Sequence, residues 1–597
     1  MNKPPRYTIR ECDRILTARG QVLEMEEVTI RGQRQRVWKN LPPTFRHFLL
    51  KQLLLYSDRT FLSSPLPLPP SDAGDTTDPR EQVTYGDVLQ RSLQLAAWLR
   101  GRGVGIGSRV AIGGGNGTGW VVSFVAAHLV GAIAVCLNAW LPRDVLVQCL
   151  AKTRPDVVLL DLERTEILAP LRAELRAKGV GEVVCWDEFE LLSTTAKRHV
   201  VDVRAVNQGA SRETLEDILQ GRGLEDLSPE SDAVIFFSSG TSGPPKAVLS
   251  TQRMALTNLY SGLVAPSRVA LRNGLPPPPL PRPTDPQKTV LLSIPLFHVT
   301  GCLSWLMRAF FAGSKMVYLR RWNADDAVRL ILQEKVTVIG GVPAVVASIL
   351  QNPSLPKERG FETVFYGGAP PSKQLAGEVK ARWPKAGIVQ GYGLSETNAY
   401  VCSTAGGDYL AKWTARAVPT GQTGLLLVRG PQVMKCYYGD PDATREAIDR
   451  DGWLDTGDVA CVDQEGFVYI KDRLKDLIIR GGENISSADV ENALYSDSRV
   501  AEAVAIGVPD RIMGEKVGAV NCVSTTRTSA TSTVESRCVT LSAAGCGVGV
   551  MLIDAARNVN GKVVKKDIKP ILVTEWEKRG RAELFGAAST PELRAKL

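Results

Sequence analysis

The sequence predicts an α/β protein whose parallel sheets carry helices on both faces. Short apolar runs rich in β-branched residues alternate with helix-like segments along most of the 597 residues. A parallel strand is buried on both faces, so it reads as a continuous apolar run rather than an alternating one. The runs that we interpret as strands cover residues 110–112, 157–160, 233–237, 290–294, 336–339 and 363–365.

The chain length and a change of pattern near residue 472 predict two parts of unequal size. At about 150 residues per domain, the 597 residues correspond to roughly four domain-sized units. After residue 472 the long apolar runs give way to short strands and helices, over a length typical of one small domain. We therefore predict a large body of α/β subdomains at 1–471 and a small α+β domain at 472–597.

One apolar stretch is long enough to be mistaken for a membrane span. Residues 110–142 contain no Asp, Glu, Lys or Arg, and 120–141 could cross a bilayer. Gly131, however, divides this part into a helix-like WVVSFVAAHLV and a β-rich AIAVCLN, and His128 and Asn138 suit a protein interior. We predict a buried helix followed by a buried parallel strand.

Composition and charge argue against several classes of protein. The 72 Lys and Arg against 63 Asp and Glu give a net charge of +9 without a long basic block, which does not favour a nucleic-acid binder. The 11 Cys contain no CxxC pair and only four His are present, so neither a disulfide framework nor a zinc site is indicated. The proline-rich PPPPLPRP at 276–283 is interpreted as a solvated surface loop rather than a ligand for a polyproline-binding domain.

The strongest local signal for function is FFSSGTSGPPKA at 236–247. An apolar strand runs into a loop of Ser, Thr and Gly that ends at Lys246. Glycines let backbone N–H groups approach phosphate oxygens, hydroxyls add donors, and the lysine supplies positive charge. The segment does not match the Walker A pattern, so it predicts a phosphate loop of another type.

Four further segments carry residues that ligands use. In QGYGLSET at 390–397, Tyr392 can stack on a flat base and Glu396 can bind Mg²⁺. In GWLDTGD at 452–458, the two carboxylates either bind vicinal ribose hydroxyls or are solvated turn residues. The last two are DRLKDLIIRGGEN at 472–484, a charged turn before a Gly pair, and GKVVK at 561–565, a basic turn.

Together these segments resemble the adenylate-forming acyl-CoA synthetase superfamily over about residues 40–570. IPLFHVTG at 294–301, YGGAPP at 366–371 and VRGPQVM at 428–434 belong to the same resemblance. Within the superfamily, the chain looks most similar to microbial and fungal ligases of fatty acids and related carboxylic acids. The resemblance implies a large N-terminal adenylation domain and a small, mobile C-terminal domain.

The resemblance also implies roles for individual residues. For ATP it implies a phosphate loop of Ser238, Ser239, Gly240, Thr241, Ser242, Gly243 and Lys246, an adenine site of Gly367, Gly368, Ala369 and Tyr392, an α-phosphate contact from Thr397, and a ribose site of Asp458 and Arg473. For Mg²⁺ it implies Glu396 and Thr241. For catalysis it implies the adenylation lysine Lys562, the hinge Lys475, a gate at His298, and the segment Gly481, Gly482 and Glu483, which approaches the acyl site in the second half-reaction.

Two of these interpretations keep an alternative. A lone His after a buried strand, such as His298, is otherwise a core residue. Trp305, Met307 and Phe310 either wall an apolar tunnel for the acyl group or are ordinary helix core.

The implied reaction has two halves. The substrate carboxylate attacks the α-phosphorus of ATP, displaces pyrophosphate and forms an acyl-adenylate. The thiol of coenzyme A then attacks the acyl carbon and releases AMP. The resemblance thus implies ATP, Mg²⁺ and coenzyme A, with a medium- or long-chain fatty acid as the expected substrate and an aryl or polyketide-derived acid as the rival.

Two alternative functions stay open. One is an adenylation enzyme that loads its acyl group onto a carrier protein. The other is a catalytically impaired nucleotide-binding remnant, because the chain is unusually short at 408–421 and Ser/Thr-rich at 523–556, where the superfamily has a helix and a strand. If the protein contains these segments with this sequence, we predict poor stability and weakened activity.

The two chain ends carry different signals for targeting. The N-terminal MNKPPRYTIRECDR is too polar for a secretory signal. The last residues, Ala595, Lys596 and Leu597, are similar to the S-K-L peroxisomal address; the alternative is a frayed polar tail. We expect recognition by the peroxisomal import receptor, and a cytoplasmic protein otherwise.

Overall fold

The computed structural model describes the chain at 5–67, 78–202, 210–238, 245–369, 371–372, 374–405, 424–464, 467–480, 483–494, 500–510, 514–523, 549–552, 565 and 569–570. The strands are, in chain order, β1 (Met25–Ile30), β2 (Gln33–Trp38), β3 (Thr60–Pro65), β4 (Arg80–Thr84), β5 (Arg109–Gly113), β6 (Ile133–Leu137), β7 (Val157–Leu160), β8 (Glu182–Cys185), β9 (Val201–Asp202), β10 (Asp232–Ser238), β11 (Lys246–Thr251), β12 (Thr289–Leu292), β13 (Lys315–Tyr318), β14 (Val338–Gly341), β15 (Thr363–Gly367), β16 (Gly387–Tyr392), β17 (Cys402–Ala405), β18 (Gly424–Val428), β19 (Cys436–Tyr437), β20 (Leu454–Val462), β21 (Val468–Arg473), β22 (Ile478–Arg480), β23 (Glu483–Ile485), β24 (Val500–Asp510), β25 (Gly514–Val523) and β26 (Gly549–Leu552).

The helices connect these strands and flank the sheets. In chain order they are α1 (Ile9–Leu16), α2 (Phe45–Leu55), α3 (Tyr85–Gly101), α4 (Thr118–Leu129), α5 (Arg143–Thr153), α6 (Leu162–Leu168), α7 (Arg172–Ala177), α8 (Thr194–Lys197), α9 (Arg212–Gln220), α10 (Gln252–Arg272), α11 (Met307–Ala312), α12 (Ala324–Gln333), α13 (Pro343–Leu350), α14 (Leu375–Arg382), α15 (Pro441–Ala447) and α16 (Ser487–Leu494). A π-helical segment, Thr300–Leu306, leads into α11, and short 3₁₀ turns cover Ala169–Leu171, Phe189–Leu191, Ser395–Thr397 and Leu474–Asp476.

The first large sheet has eight strands in the order β19-β11-β10-β6-β5-β7-β8-β9. Neighbours from β10 to β9 are parallel, whereas β11 runs antiparallel to both β10 and β19. The predicted strands at 110–112, 157–160 and 233–237 lie in β5, β7 and β10. The prediction of parallel strands is confirmed for this sheet.

The second large sheet has eight strands in the order β17-β16-β15-β14-β12-β13-β3-β4. Its neighbours from β16 to β3 are parallel, and β17 and β4 are antiparallel edges. The run predicted at 336–339 becomes a strand only at Val338. Val336 is still tied to the preceding helix, because its N–H donates to the carbonyl of Ile331 at 3.1 Å.

The two large sheets share one apolar core. It includes Ile112 and Phe236 from the first sheet and Leu292 and Met316 from the second. Three smaller sheets accompany them: the hairpin β1-β2, the antiparallel β18-β20-β21, and β23-β22-β25-β24 with β26 beside β25. This mixed α/β architecture with flanked parallel sheets confirms the predicted fold class.

The apolar stretch at 110–142 lies in the protein interior. Every residue of α4 except Gly119 is buried, and so is every residue of β6. β6 is parallel to both β5 and β10, as the sequence predicts. In the described part of the chain, no helix is long and apolar enough to cross a membrane.

The predicted boundary at 471/472 falls within β21, which ends at Arg473. Asp472 still pairs with Val459 of the three-stranded sheet. Its buried carboxylate also accepts hydrogen bonds from the N–H of Ser487, at 2.6 Å, and from its hydroxyl, at 3.1 Å. The strand therefore anchors the first turn of α16, and the domain division stays a prediction.

Asp187 follows β8 and holds the start of α6. One carboxylate oxygen accepts the N–H of Leu162 at 2.7 Å. Burial raises the pKa of Asp187 to about 7, and the nearby Asp161 carboxylate adds to the shift, whereas the Leu162 hydrogen bond opposes it. A carboxyl with a raised pKa stabilises the fold in its protonated form.

We predict that replacing Asp187 with Asn removes a pH dependence of stability. The folded chain keeps this proton up to about pH 7, whereas an unfolded Asp loses it near pH 4. The stabilisation is therefore fully present below pH 4 and is lost as the pH rises through 7. At pH 8 the Asp187→Asn protein should exceed wild type by on the order of 1–3 kcal/mol in unfolding free energy.

Urea unfolding at pH 5, 6, 7 and 8 checks this, with Asp58→Asn as a control for the loss of an exposed carboxylate. A difference between wild type and Asp187→Asn that does not grow with pH would contradict it.

Candidate functional site

The loops that follow the parallel strands of the second sheet lie along one edge. β12, β14, β15 and β16 are parallel, so their carboxyl ends meet at the same edge, where open α/β sheets bind ligands. The segment with His298 follows β12, and β14, β15 and β16 end at Gly341, Gly367 and Tyr392. The structure thus brings the predicted adenine residues and His298 to a common edge.

Gly367 and Gly368 make room for a close approach at this edge. A Cβ on Gly367 would lie 2.6 Å from the carbonyl oxygen of Gly391 on β16, and Gly368 has φ +79°. Both positions therefore require glycine. Ala369 follows them and is half-buried.

Tyr392 and Asp458 are joined across two sheets. The Tyr392 hydroxyl donates to Asp458 Oδ2 at 2.5 Å, and Arg473 Nε donates to Asp458 Oδ1 at 2.9 Å. Burial, together with the Asp458 carboxylate, raises the pKa of Tyr392, so its hydroxyl remains a donor. Tyr392 of the predicted adenine site is therefore hydrogen-bonded to both residues of the predicted ribose site, directly to Asp458 and through it to Arg473.

Glu396 and Thr397 lie in the 3₁₀ turn Ser395–Thr397 after β16. Thr397 is fully buried, and its hydroxyl accepts the Leu394 N–H at 2.9 Å, which closes the turn. Asn398 and Ala399 then have φ +52° and +87°, a left-handed pair that is costly for residues other than glycine. The turn is thus held in an uncommon conformation, with the Glu396 carboxylate half-buried beside it.

The two ends of the predicted phosphate loop lie side by side. Ser238 ends β10, Lys246 begins β11, and the two residues pair across the hairpin. Ser239, Gly240, Thr241, Ser242 and Gly243 lie outside the described residues. The structure therefore places the loop ends at the carboxyl end of a parallel strand, which is the expected position for a phosphate loop.

Tyr437, on the edge strand β19, connects the loop lysine to Glu396. Its hydroxyl donates to Glu396 Oε1 at 2.9 Å, and Lys246 Nζ lies 4.7 Å from its ring centroid. The N–H of Met434 also donates to the Glu396 carbonyl at 2.8 Å. Sequence reasoning missed Tyr437, whose partner lies 41 residues away.

The Glu396 carboxylate fits Mg²⁺. It offers hard oxygen ligands, and among the described residues only the Tyr437 hydroxyl bonds it, at Oε1. The described part of the chain contains no group of three His, Cys, Asp or Glu that could hold a metal. A single protein carboxylate suits a Mg²⁺ ion that is bound mainly by substrate phosphates and water; Thr241, the other predicted ligand, is not described.

His298 is positioned by a residue that sequence reasoning missed. The Asn116 side chain donates from Nδ2 to the carbonyl of Ile294 at 2.9 Å and accepts the N–H of Leu296 at 2.8 Å. Phe297 packs against His298 with ring centroids 4.8 Å apart. Asn116 lies in GGGNGTG, directly after β5. A polar residue at the carboxyl end of a parallel strand is a candidate for the ligand-binding edge, and this position could have identified Asn116 from the sequence.

Trp305 and Phe310 have different surroundings. Trp305 meets Phe365 of β15 edge to face, with centroids 5.4 Å apart, and a Cβ on Gly340 of β14 would lie 2.6 Å from its Cζ2. Phe310 instead packs on Phe61, at 4.7 Å, in the core. All three side chains are buried in the main apolar core, but Trp305 packs against β14 and β15, whereas Phe310 packs against Phe61 of β3.

The remaining predicted residues lie toward the C-terminus. Lys475 is exposed in the turn between β21 and β22, which suits a connection between two sheets, and Glu483 begins β23. Gly481, Gly482, Lys562 and the tripeptide Ala595, Lys596 and Leu597 lie outside the described residues. Their roles, including peroxisomal import, stay predictions.

Known proteins are similar to this chain in sequence and in fold. The family model "AMP-binding enzyme" matches residues 57–438. A feruloyl-CoA synthase from Amycolatopsis sp. is 30% identical over 454 residues, which cover 72% of this chain and 82% of the relative. A long-chain-fatty-acid–CoA ligase from Bacillus subtilis (strain 168) is 29% identical over 477 residues, with coverages of 74% and 80%. The crystal structure of ATP-bound MatB from Rhodopseudomonas palustris matches with a TM-score of 0.68 at 22% identity, over 88% of this chain and 99% of that one.

The fold and the grouped residues define an adenylate-forming type of enzyme. The chain belongs to the AMP-binding enzyme family, and its relatives are acyl-CoA and aryl-CoA ligases. The superfamily resemblance found from the sequence is thereby confirmed.

We predict that Asn116 contributes to stability through the His298 segment. Replacing Asn116 with Ala leaves the Ile294 carbonyl and the Leu296 N–H without these partners, so the free energy of unfolding should fall by about 1–3 kcal/mol. Asn352→Ala, at a surface asparagine that bonds Asp325, should cost less than about 0.5 kcal/mol. Urea unfolding of both variants measures the difference, and equal losses would contradict the role of Asn116.

Proposed function

We propose that this chain activates a carboxylic acid with ATP and transfers the acyl group to coenzyme A. The observation that carries the proposal is the grouping of Lys246, Glu396 and the Tyr392–Asp458 pair around the facing loops of two sheets. Membership of the AMP-binding family and the CoA-ligase relatives support acid activation and thioester formation.

The residues of the chain supply binding and orientation. Tyr392 and Asp458 would hold the adenosine, with Arg473 fixing the carboxylate that meets the ribose. Lys246 and the loop before it would hold the β- and γ-phosphates, and Lys562, by the resemblance, would stabilise charge at the α-phosphate. Glu396 would hold Mg²⁺, which neutralises phosphate charge when it is bound. Because a carboxylate is a weak nucleophile, positioning and charge stabilisation supply most of the catalysis.

Acid-dependent release of pyrophosphate from ATP tests the first half-reaction. We expect release with purified protein, ATP, Mg²⁺ and a panel of acids. Glu396→Gln should reduce the rate about a hundredfold or more, and Lys562→Ala should abolish it. Glu378→Gln, on the exposed surface of α14, is the matched control and should retain the wild-type rate.

The second half-reaction is followed by mass spectrometry of the product. A coenzyme A thioester is the expected result. Adenylate without thioester would point to a carrier protein as the acceptor, and no release with any acid would point to an impaired remnant.

The position of Trp305 suggests a limit on the size of the acid. Trp305 lies against Gly340, the residue before the last of β14, and against Phe365 in the middle of β15, two strands whose carboxyl ends border the candidate site. An acyl chain that extended from the site along β14 toward the π-helical segment would therefore meet the indole ring. We infer that the site takes a compact acid, such as an aryl acid, in preference to the long-chain fatty acid expected by default.

We predict that Trp305→Leu shifts the preference toward longer acids. The smaller side chain would leave more room for an acyl chain, and one methylene in an apolar pocket is worth about 10- to 200-fold in specificity. The ratio of kcat/KM for dodecanoate over cinnamate should rise about tenfold or more.

Phe310→Leu is the control, because it loses similar aromatic bulk from the interior. It should lower stability without changing the ratio. An unchanged ratio in Trp305→Leu, or an equal change in both variants, would contradict the role of Trp305.

A further inference from the structure

Tyr437 lies between the two charged groups of the phosphate site. It belongs to the two-residue strand β19, in which Tyr437 pairs with Val248 and Cys436 with Leu249 of β11. The side chain is only 7% exposed. Since β11 begins at Lys246, the pairing sets the tyrosine ring beside the lysine at the end of the phosphate loop.

The ring and the hydroxyl of Tyr437 contact opposite charges. Lys246 Nζ lies 4.7 Å from the ring centroid, within the range of a cation–π interaction. The hydroxyl donates to Glu396 Oε1 at 2.9 Å, a hydrogen bond to a charged acceptor, which is stronger than a neutral one. Burial and the Glu396 charge raise the pKa of Tyr437, so the hydroxyl remains a donor.

The ring also separates the two charges. Lys246 and Glu396 both touch Tyr437, yet no ion pair joins them within 4 Å. A lysine and a glutamate released into a partly buried site would attract each other strongly. If the lysine and the glutamate formed an ion pair, the lysine would bind the phosphates less well and the glutamate would bind Mg²⁺ less well.

We propose that Tyr437 is a positioning residue of the nucleotide site, whose ring holds Lys246 and whose hydroxyl holds Glu396, so that the two charges stay apart and both face ATP. The inference rests on the proposed function, because it assigns Lys246 and Glu396 to ATP and Mg²⁺. Tyr437, on the edge strand of the first sheet, would thus influence the binding of the ATP phosphates through Lys246 and of Mg²⁺ through Glu396, without touching the reacting atoms.

Equilibrium binding tests this role without catalysis. Tyr437→Phe keeps the ring over Lys246 and removes only the bond to Glu396. We expect calorimetry to show about tenfold weaker binding of ATP with Mg²⁺, the loss that corresponds to one hydrogen bond to a charged group. Binding of AMP, which lacks the β- and γ-phosphates, should change less than about twofold.

A second variant separates the ring from the hydroxyl. Tyr437→Leu also removes the cation–π contact, so ATP binding without Mg²⁺ should weaken about a further three- to tenfold. Tyr438→Phe, at the next residue of the chain, is the matched control and should bind ATP as wild type does.

The outcomes distinguish this inference from the proposed function. If wild type binds no ATP, both are overturned. If wild type binds ATP and Tyr437→Phe binds it equally well at every Mg²⁺ concentration, only the role of Tyr437 is overturned. If Tyr437→Phe weakens ATP and AMP by the same factor, the tyrosine supports the fold in general, and its positioning role is likewise overturned.

Discussion

Two hydrogen bonds from the Asn116 side chain join the loops of the two large sheets, and the candidate site depends on this junction. Asn116 follows a strand of the first sheet, whereas Ile294 and Leu296 follow a strand of the second. Parallel strands bring the loops after their carboxyl ends to one edge of a sheet, but they do not determine which edge a second sheet presents to the first. The contacts of Tyr437 with Lys246 and Glu396 join the two sheets a second time, at the end of the phosphate loop.

The sequence predicted which segments are buried, but it did not predict which strands lie next to each other in the sheets. The apolar run at 157–160 coincides with β7, and the uncharged stretch around Gly131 divides into α4 and β6 as expected. Hydrophobic patterns record which residues leave water, and that information is local. They do not reveal that β3 lies beside β13, or that β19 extends the first sheet. These pairings connect segments that are far apart in the chain.

The same distinction applies to the site. Motif chemistry predicted Lys246, Tyr392 and Glu396, because phosphates, bases and metals require particular side chains within short segments. Asn116 and Tyr437 carry no such signature. Their function lies in partners that are 178 and 41 residues away, and a side chain that acts through another residue can be recognised only from the contact.

The two carboxylates of the site are prepared for different ligands. Asp458 is 3% exposed and uses both oxygens, one for Tyr392 and one for Arg473. Each carboxylate oxygen can accept a second hydrogen bond, so a carboxylate fixed in this way can still receive neutral hydroxyl donors. Glu396 has one described partner, at Oε1, which leaves lone pairs for a cation. The hydrogen bonds thus favour hydroxyls at Asp458 and a metal at Glu396.

The C-terminal lysine motif is tied to the strand that carries Arg473. Lys565, three residues after Lys562, bonds Glu491 Oε1 at 3.0 Å and the Ser487 hydroxyl at 2.6 Å. Ser487 in turn donates to Asp472, the residue before Arg473. Lys565, which follows the Ser/Thr-rich segment at 523–556, thus contacts the helix that β21 anchors. Glu491 is half-buried, and Lys565, 74 residues later in the chain, supplies the opposite charge that compensates for the partial burial of its carboxylate. The pairing holds Lys565 beside α16 and the end of β21.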